Sequence, residues 1–376
     1  MKILILSTVH NWNDPRIFHK QACTLAREHE VILAAVDDGP ERVVNGVRVR
    51  PLGTWHSRSE RPRLWLRACR EILRSKADVV HFHDPELALI LLPYALLGNK
   101  RLILDVHEHP YAAIGGREWI PKIMRKLVAT FFLWLLQLSP YVYDRVILAE
   151  DGYSPCFPER KNVHIIHNYA LIPNPDIPFF DRYEGFDPRK KLRLIYIGCL
   201  MEYRGALTMP EMLKKLVARY PGVTLDLIGR AQPRSLELAL RQASSRLGGI
   251  IKLHGYIDWN EMEPVVRRAH IGLIPLKPDP NHLVSLVTKF YDYMSFGLPC
   301  VVSDFPLWQR FIEENPCGVN ADATDPDRFV EAIVSLVESP DRLRELSRNG
   351  YQMVREKFNW EQEGEKLLRI YRDFSR

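Results

Sequence analysis

The stretch from Asn281 to Asp304, NHLVSLVTKFYDYMSFGLPCVVSD, runs from a polar loop through a short helix to a Gly297-Leu298-Pro299 turn, then into the apolar run Cys300 to Ser303. A strand without polar alternation is buried on both faces, as in a parallel sheet covered by helices. Working outward, the same alternation continues. Leu192 to Gly198, Leu225 to Gly229, Ile251 to Leu253 and Ile271 to Pro275 read as strands, separated by helical stretches at Met209 to Tyr220, Arg234 to Leu247 and Asn260 to Arg268. Alternating strands and helices of this kind build a doubly wound α/β domain.

The pattern repeats nearer the start of the chain. Ile3 to Leu6, Val31 to Val36, Val79 to Phe82, Leu102 to Val106, Val146 to Ala149 and Val163 to Ile166 are short apolar runs, and Pro15 to Glu28, Pro62 to Ser75, Glu86 to Leu97 and Ile120 to Leu138 read as helices between them. After Asn168 comes a passage rich in chain breakers (Pro173, Pro175, Pro178, Pro188), which marks the linker between two domains. The expected division is 1–175 and 190–356. The last helix, Trp360 to Phe374, carries Leu367, Leu368, Ile370 and Tyr371 at helical spacing and packs on something the sequence does not name. No internal repeat is evident. Sheets of this class bind ligands at the carboxyl ends of their strands, so a cleft between the two halves is the expected site.

Composition bounds the function. The 376 residues are 46% hydrophobic and 26% charged, an ordinary globular balance, and the length suits two or three domains rather than one small core. A net charge of +6 favours anionic partners without naming one. The six cysteines are scattered without a Cys-x-x-Cys pair, which points to a reducing compartment and no structural zinc. The opening apolar run is too short for a signal peptide core, and Leu127 to Leu138 is too short to span a bilayer.

The helix Lys289-x-x-Asp292-Tyr293-Met294, followed by Gly297-Leu298-Pro299 and the strand, carries most of the functional information. The loop Ser285, Leu286, Val287, Thr288 would aim helix N-terminal amides at a diphosphate, Lys289 would add a point charge and Asp292 would take ribose hydroxyls. A bland account, a Lys and an Asp on an exposed helix face, suits the same residues. This segment resembles the donor-site motif of glycosyltransferase family 4, the group 1 glycosyltransferases with the GT-B fold. The resemblance spans nearly the whole chain and implies two Rossmann-like domains facing a cleft, with the terminal residues 357–376 crossing back to the first.

On that resemblance, Leu194 to Gly205 matches the family's strand, glycine turn and basic-Gly segment, with Gly198 at the turn and Arg204 as the pyrophosphate clamp. A planar guanidinium grips diphosphate oxygens and neutralises the leaving charge. A surface charge at a helix start would look the same. Gly229, Arg230 and Tyr256 lie in loops that flank the nucleoside in this family, where glycine permits close approach and Tyr256 or Arg230 would stack on the base or simply pack. Two positions depart from the family pattern. Cys199 stands where an Arg is usual, and Val284 with Asp292 replaces a Glu-x7-Glu pair, so one phosphate ligand and the donor-sugar carboxylate are missing from their usual places.

In the first half, the strand Leu102 to Val106 ends in His107-Glu108. In similar proteins a His there lies by the donor sugar and phosphate, and Glu108 would orient it or touch the acceptor. A His satisfied by the adjoining Glu is the structural alternative. His81 and His83 alternate on a strand, but the further ligands of a metal site are missing, so no metal is expected, and Asp84 reads as a helix cap. Asp325-Pro326-Asp327 likewise reads as a capping turn. The segment Asn13-Asp14-Pro15-Arg16-Ile17-Phe18 lacks the paired glycines of many relatives and resembles a bacterial branch associated with envelope glycans. Asn11, Asp14 and Arg16 become acceptor-side candidates, while Asp14 as cap to Pro15 is an equally good structural account.

Ser57 to Lys76 interleaves seven basic residues with Leu64, Trp65, Leu66, Ile72 and Leu73, and Lys122, Arg125 and Lys126 precede the Leu127 to Leu138 run. Either face would rest on anionic lipid, and the alternative for the second is a core helix. The resemblance therefore implies a cytoplasmic, peripherally membrane-associated retaining glycosyltransferase. It would use a nucleotide diphosphate sugar as donor substrate, with no cofactor, no metal and no nucleic acid, and a glycan or lipid-linked acceptor. A sugar-nucleotide 2-epimerase of the same fold and a non-catalytic sugar-nucleotide-binding subunit remain the rival readings.

Overall fold

The computed structural model describes residues 1–98, 100–107, 120–172 and 180–374. The chain divides into two compact units, Met1–Asn168 with Trp360–Arg376, and Tyr169–Asn359. Both are sheets of mainly parallel strands covered by helices, so the expected fold class holds.

The first unit is built on β1 (Lys2–Asn11), β2 (Glu30–Val36), β3 (Arg42–Val44), β4 (Val47–Pro51), β5 (Val79–Phe82), β6 (Arg101–Val106), β7 (Arg145–Leu148) and β8 (Val163–Ile165), in the spatial order β3-β4-β2-β1-β5-β6-β7-β8. All neighbours are parallel except β3 and β4, a hairpin that the apolar-run reading passed over. Its signal is Asn45-Gly46, both with positive φ (49° and 79°), a turn whose twist suits a two-residue hairpin loop. Alternation, not an apolar run, makes β4 a strand: Val47 and Val49 are buried while Arg48 is exposed. The central strands are buried along most of their length and mostly apolar because both faces are covered.

The expected helix from Glu86 to Leu97 is two, Pro85–Ile90 and Leu92–Leu97. Pro93 explains the break, since it lacks the N–H that would continue the first helix and sits comfortably in the opening turn of the second. The helix Lys122–Val142 turns Ala129 and Leu136 inward and leaves Ile123, Leu127, Phe131 and Trp134 exposed. In the helix Arg61–Ser75, Leu64, Ala68 and Ile72 are core and Trp65 is half-buried against it, which leaves Leu66 and Leu73 exposed of the suggested lipid face. No helix among the described residues is long and apolar enough to cross a membrane.

The helix Trp360–Arg372 belongs to this first unit. Trp360 Nε1 donates to Thr24 Oγ1 at 2.9 Å, and the Tyr371 hydroxyl meets His81 Nδ1 at 2.8 Å. Glu363 accepts from the amide of His167 at 2.9 Å. Burial works against a charge on His167, yet its bonds to Asp151 and Glu363 raise the imidazole to about 9.

The second unit orders its strands β11-β10-β9-β12-β13-β14, all parallel, with β9 (Leu192–Ile197), β10 (Val223–Ile228), β11 (Ile251–Gly255), β12 (Ile271–Ile274), β13 (Cys300–Ser303) and β14 (Gly318–Ala321). The short, mixed-polarity β14 was not expected. Trp308, fully buried on the helix Pro306–Glu314, packs on Phe290 and Phe305 beneath the Asn281 to Thr288 loop.

Candidate active site

In each sheet the winding direction reverses once, between β1 and β5 in the first unit and between β9 and β12 in the second. Crevices at such switch points collect ligands, because the loops that leave adjacent strands there diverge to opposite faces.

At the second unit's switch point, β9 ends in Gly198 with φ 128°, a conformation that disfavours any side chain. A Cβ on Gly198 would lie 2.9 Å from both Cε and Nζ of Lys289, so the glycine is what admits the lysine to this strand end. Lys289 opens the helix Lys289–Ser295 and is only 8% exposed, with Nζ 5.3 Å from the centre of the Tyr196 ring. Burial, reinforced by the positive charge of Arg204, pulls its ammonium down to about 7. Arg204 ends the turn Glu202–Arg204, lies 5.6 Å from the Tyr203 ring, and keeps Nε buried without a partner. The next residue, Gly205, has no room for a Cβ, which would fall 2.1 Å from the carbonyl oxygen of Pro275 after β12, and the Lys277 amide donates to the Tyr203 carbonyl at 2.9 Å. Neither Lys289 nor Arg204 has an ion-pair carboxylate among the described residues. Two unpaired cations at a switch point make a site for an anion with more than one charge.

Other expected donor residues take more structural parts. Ser285 turns its hydroxyl to the carbonyl of Asn281 at 2.7 Å, and its own carbonyl accepts from Trp308 Nε1 at 2.9 Å, which locks the loop before the helix. Leu286 packs on the core, Thr288 precedes the helix without a side-chain capping bond, and Asp292 is half-buried on its first turn. A Cβ on Gly229 would fall 2.0 Å from the carbonyl oxygen of Gly198, so this glycine lets two neighbouring strand ends approach closely. Arg230 and Tyr256 face each other, 5.3 Å from guanidinium to ring centre. Sequence reasoning treated Tyr293 only as part of a motif. Its hydroxyl accepts from the Ile197 amide at 3.1 Å and donates to the Leu273 carbonyl at 3.2 Å, bridging β9 and β12 where they separate, while its ring occupies the space that a Cβ on Gly272 would need.

At the first unit's switch point the buried carboxylate of Asp84 accepts from Ser7 Oγ (2.9 Å), the Thr8 amide (2.5 Å) and Thr8 Oγ1 (2.9 Å). Asp84 therefore ties β1 to β5 and makes no side-chain bond to the helix Pro85–Ile90 it precedes, contrary to the capping expectation. Asp14 does cap, accepting from the amides of Arg16 and Ile17, and binds His10 Nδ1 at 3.1 Å. Although burial alone would raise it, these partners hold its carboxyl well below the usual range. Arg16 is not at a surface: it is 3% exposed, with Nη2 3.0 and 3.1 Å from the two oxygens of Asp105. Its Nε and Nη1 are buried without a partner among the described residues. Asn11, at the end of β1, is exposed.

His107 follows β6, with Nε2 2.7 Å from His83 Nδ1 and 3.1 Å from Asp105 Oδ1. Glu108 lies outside the described residues. His81, His83 and Asp105 come close enough to share an ion, their candidate ligand atoms lying within 4.8 Å of one another. The carboxylate of Asp105, however, is already shared among Arg16, Gln21 and His107.

Comparison with known proteins agrees with this architecture. Residues 191–339 match the family model described as Glycosyl transferases group 1, and residues 16–168 match that described as Glycosyltransferase Family 4. The chain is 23% identical to a phosphatidyl-myo-inositol mannosyltransferase of Mycolicibacterium smegmatis over 89% of this chain and 82% of that one. Among solved structures, sucrose-phosphate synthase of Thermosynechococcus elongatus superposes with a TM-score of 0.75 at 16% identity, over 99% of this chain and 98% of that one. Anabaena HepE, solved with UDP-glucose, gives 0.71 at 12% identity, over 99% and 100%.

Proposed function

Because the chain belongs to the group 1 glycosyltransferases of family 4, we propose that it is a retaining, metal-independent enzyme that moves a sugar from a nucleotide diphosphate sugar to a glycan or lipid-linked acceptor in cell-envelope or exopolysaccharide synthesis. The observation that carries this reading is the pair of unpaired cations, Lys289 and Arg204, at the carboxyl end of β9. A departing nucleoside diphosphate gains negative charge as the glycosidic bond breaks, and fixed cations beside it lower the barrier more than they stabilise the ground state. They supply the charge that a divalent ion supplies elsewhere. In the retaining course the acceptor hydroxyl reaches the anomeric carbon on the face the diphosphate leaves, its proton passing to the leaving phosphate.

A lipid-linked acceptor is supported by the mannosyltransferase relative, named for phosphatidyl-myo-inositol, and by the apolar stripe Ile123, Leu127, Phe131 and Trp134, which would lie on the inner face of the plasma membrane. A UDP donor has the support of the fold neighbour solved with UDP-glucose.

A thermal-shift panel of UDP, GDP, ADP, dTDP and CMP tests the reading on wild type and Arg204→Ala. One diphosphate is expected to raise the melting temperature, by the equivalent of roughly 2.7 kcal/mol at 100 times its dissociation constant, and Arg204→Ala to lose that rise. Absence of a shift with every nucleotide overturns the donor-site assignment.

A further inference from the structure

Asp105 is fully buried on β6, yet side chains from several elements converge on it. Arg16 reaches both oxygens, Gln21 Nε2 donates to Oδ2, His107 Nε2 stands 3.1 Å from Oδ1, and His81 Nε2 is 3.6 Å from Oδ2. The other nitrogen of His81 is held by the Tyr371 hydroxyl. A structural ion pair with Arg16 accounts for the first contact only. It leaves unexplained why His107, which is 16% exposed beside a carboxylate that is wholly enclosed, turns Nε2 inward.

A neutral imidazole carries one N–H. At Nε2 of His107 two acceptors are in reach, the carboxylate of Asp105 at 3.1 Å and His83 Nδ1 at 2.7 Å. A charged carboxylate is the stronger acceptor, so the proton belongs on Nε2 of His107, with His83 offering the lone pair of Nδ1. Nδ1 of His107 is then unprotonated, and no described residue bonds to it.

We propose that Asp105 is a positioning residue, which fixes His107 in its Nε2-protonated tautomer so that Nδ1 accepts a hydrogen bond from a substrate hydroxyl. The proposal rests on His107 belonging to the site. Arg16 and Gln21 hold the carboxylate, and Tyr371 holds His81 beneath it, so the orientation of His107 is set by buried groups packed beneath it.

Long-range proton–nitrogen correlation spectra of the full chain, labelled with 15N-histidine, read the tautomer directly, and the signals lost in His107→Gln assign it. The Nε2-protonated pattern is expected in wild type. In Asp105→Asn the pattern is expected to move toward the other tautomer, and hydrolysis of UDP-glucose or GDP-mannose, followed as release of UDP or GDP, to slow on the order of 100-fold with the diphosphate-induced thermal shift retained. An Nδ1-protonated His107 in wild type overturns the proposal without any variant, which keeps it decidable even where Asp105→Asn fails to fold. So does an Asp105→Asn protein with wild-type tautomer and turnover. A His107→Gln enzyme that turns over like wild type instead removes the site reading, whatever the tautomer.

Discussion

Lys289 shows what one residue does to both stability and function. Its ammonium is buried without an ion-pair carboxylate among the described residues and is pulled down to about 7, far below the ordinary lysine value, so at neutral pH folding must either shed a proton or bury a charge. Burial of such a group costs the fold stability, and the proposed diphosphate site gives it a use. Lys289→Met is therefore expected to raise stability at pH 7, by about 1–3 kcal/mol, while abolishing the thermal shift given by diphosphate. A variant both less stable and still responsive to nucleotide would contradict this, and a melt with and without ligand measures both. The residue types at this site were legible because a Lys, a Gly turn and an Arg-Gly pair stand in recognisable order. What Gly229, Asp84 and Arg16 touch was not legible, since each partner lies on a different strand or helix: Gly198, Ser7 with Thr8, and Asp105.

At the scale of elements, the terminal helix Trp360–Arg372 is pinned to the first unit by polar contacts that its apolar stripe did not announce. One of them is sensitive to pH. His167 titrates at about 9 against an ordinary value near 6.5, because Asp151 and Glu363 favour the cation. Since the folded value is the higher one, the stabilisation is complete below about pH 6.5 and disappears as pH rises through 9. Asp151 is largely exposed and screened, so the contribution is on the order of 1 kcal/mol. Wild type is expected to lose more melting temperature than His167→Gln between pH 6.5 and pH 9.5. Parallel curves for the two proteins would remove the assignment. The β3–β4 hairpin makes the complementary point about elements: its Asn45-Gly46 signal stood in the sequence, but a search for unbroken apolar runs does not register an edge ribbon that alternates.

For the molecule as a whole, the exposed face of the helix Lys122–Val142 offers the clearest test of peripheral attachment. Ile123, Leu127 and Trp134 are 88%, 71% and 55% exposed and recur at helical spacing, while Ala129 and Leu136 fill the core below them. Replacing Ile123 and Leu127 by Gln leaves the core intact and is expected to cut binding to phosphatidylglycerol vesicles at least 10-fold, with nucleotide response unchanged; co-sedimentation reads it, and equal binding by both proteins would discard the lipid face. The sequence by itself determined that there are two parallel, helix-covered sheets, because burial on both faces leaves an apolar run that no exposed strand can imitate. It also determined that the Gly198 turn lies at a strand end, because a strand followed by a glycine turn leaves few other places, whereas the approach of Lys289 to that turn is a tertiary contact. Only the tertiary structure decided that the terminal helix closes against Thr24 and His81, and that Asp105 binds Arg16 and faces His107. Those contacts join residues far apart in the chain, and no local period or propensity encodes which distant side chain will fill a given buried hydrogen bond.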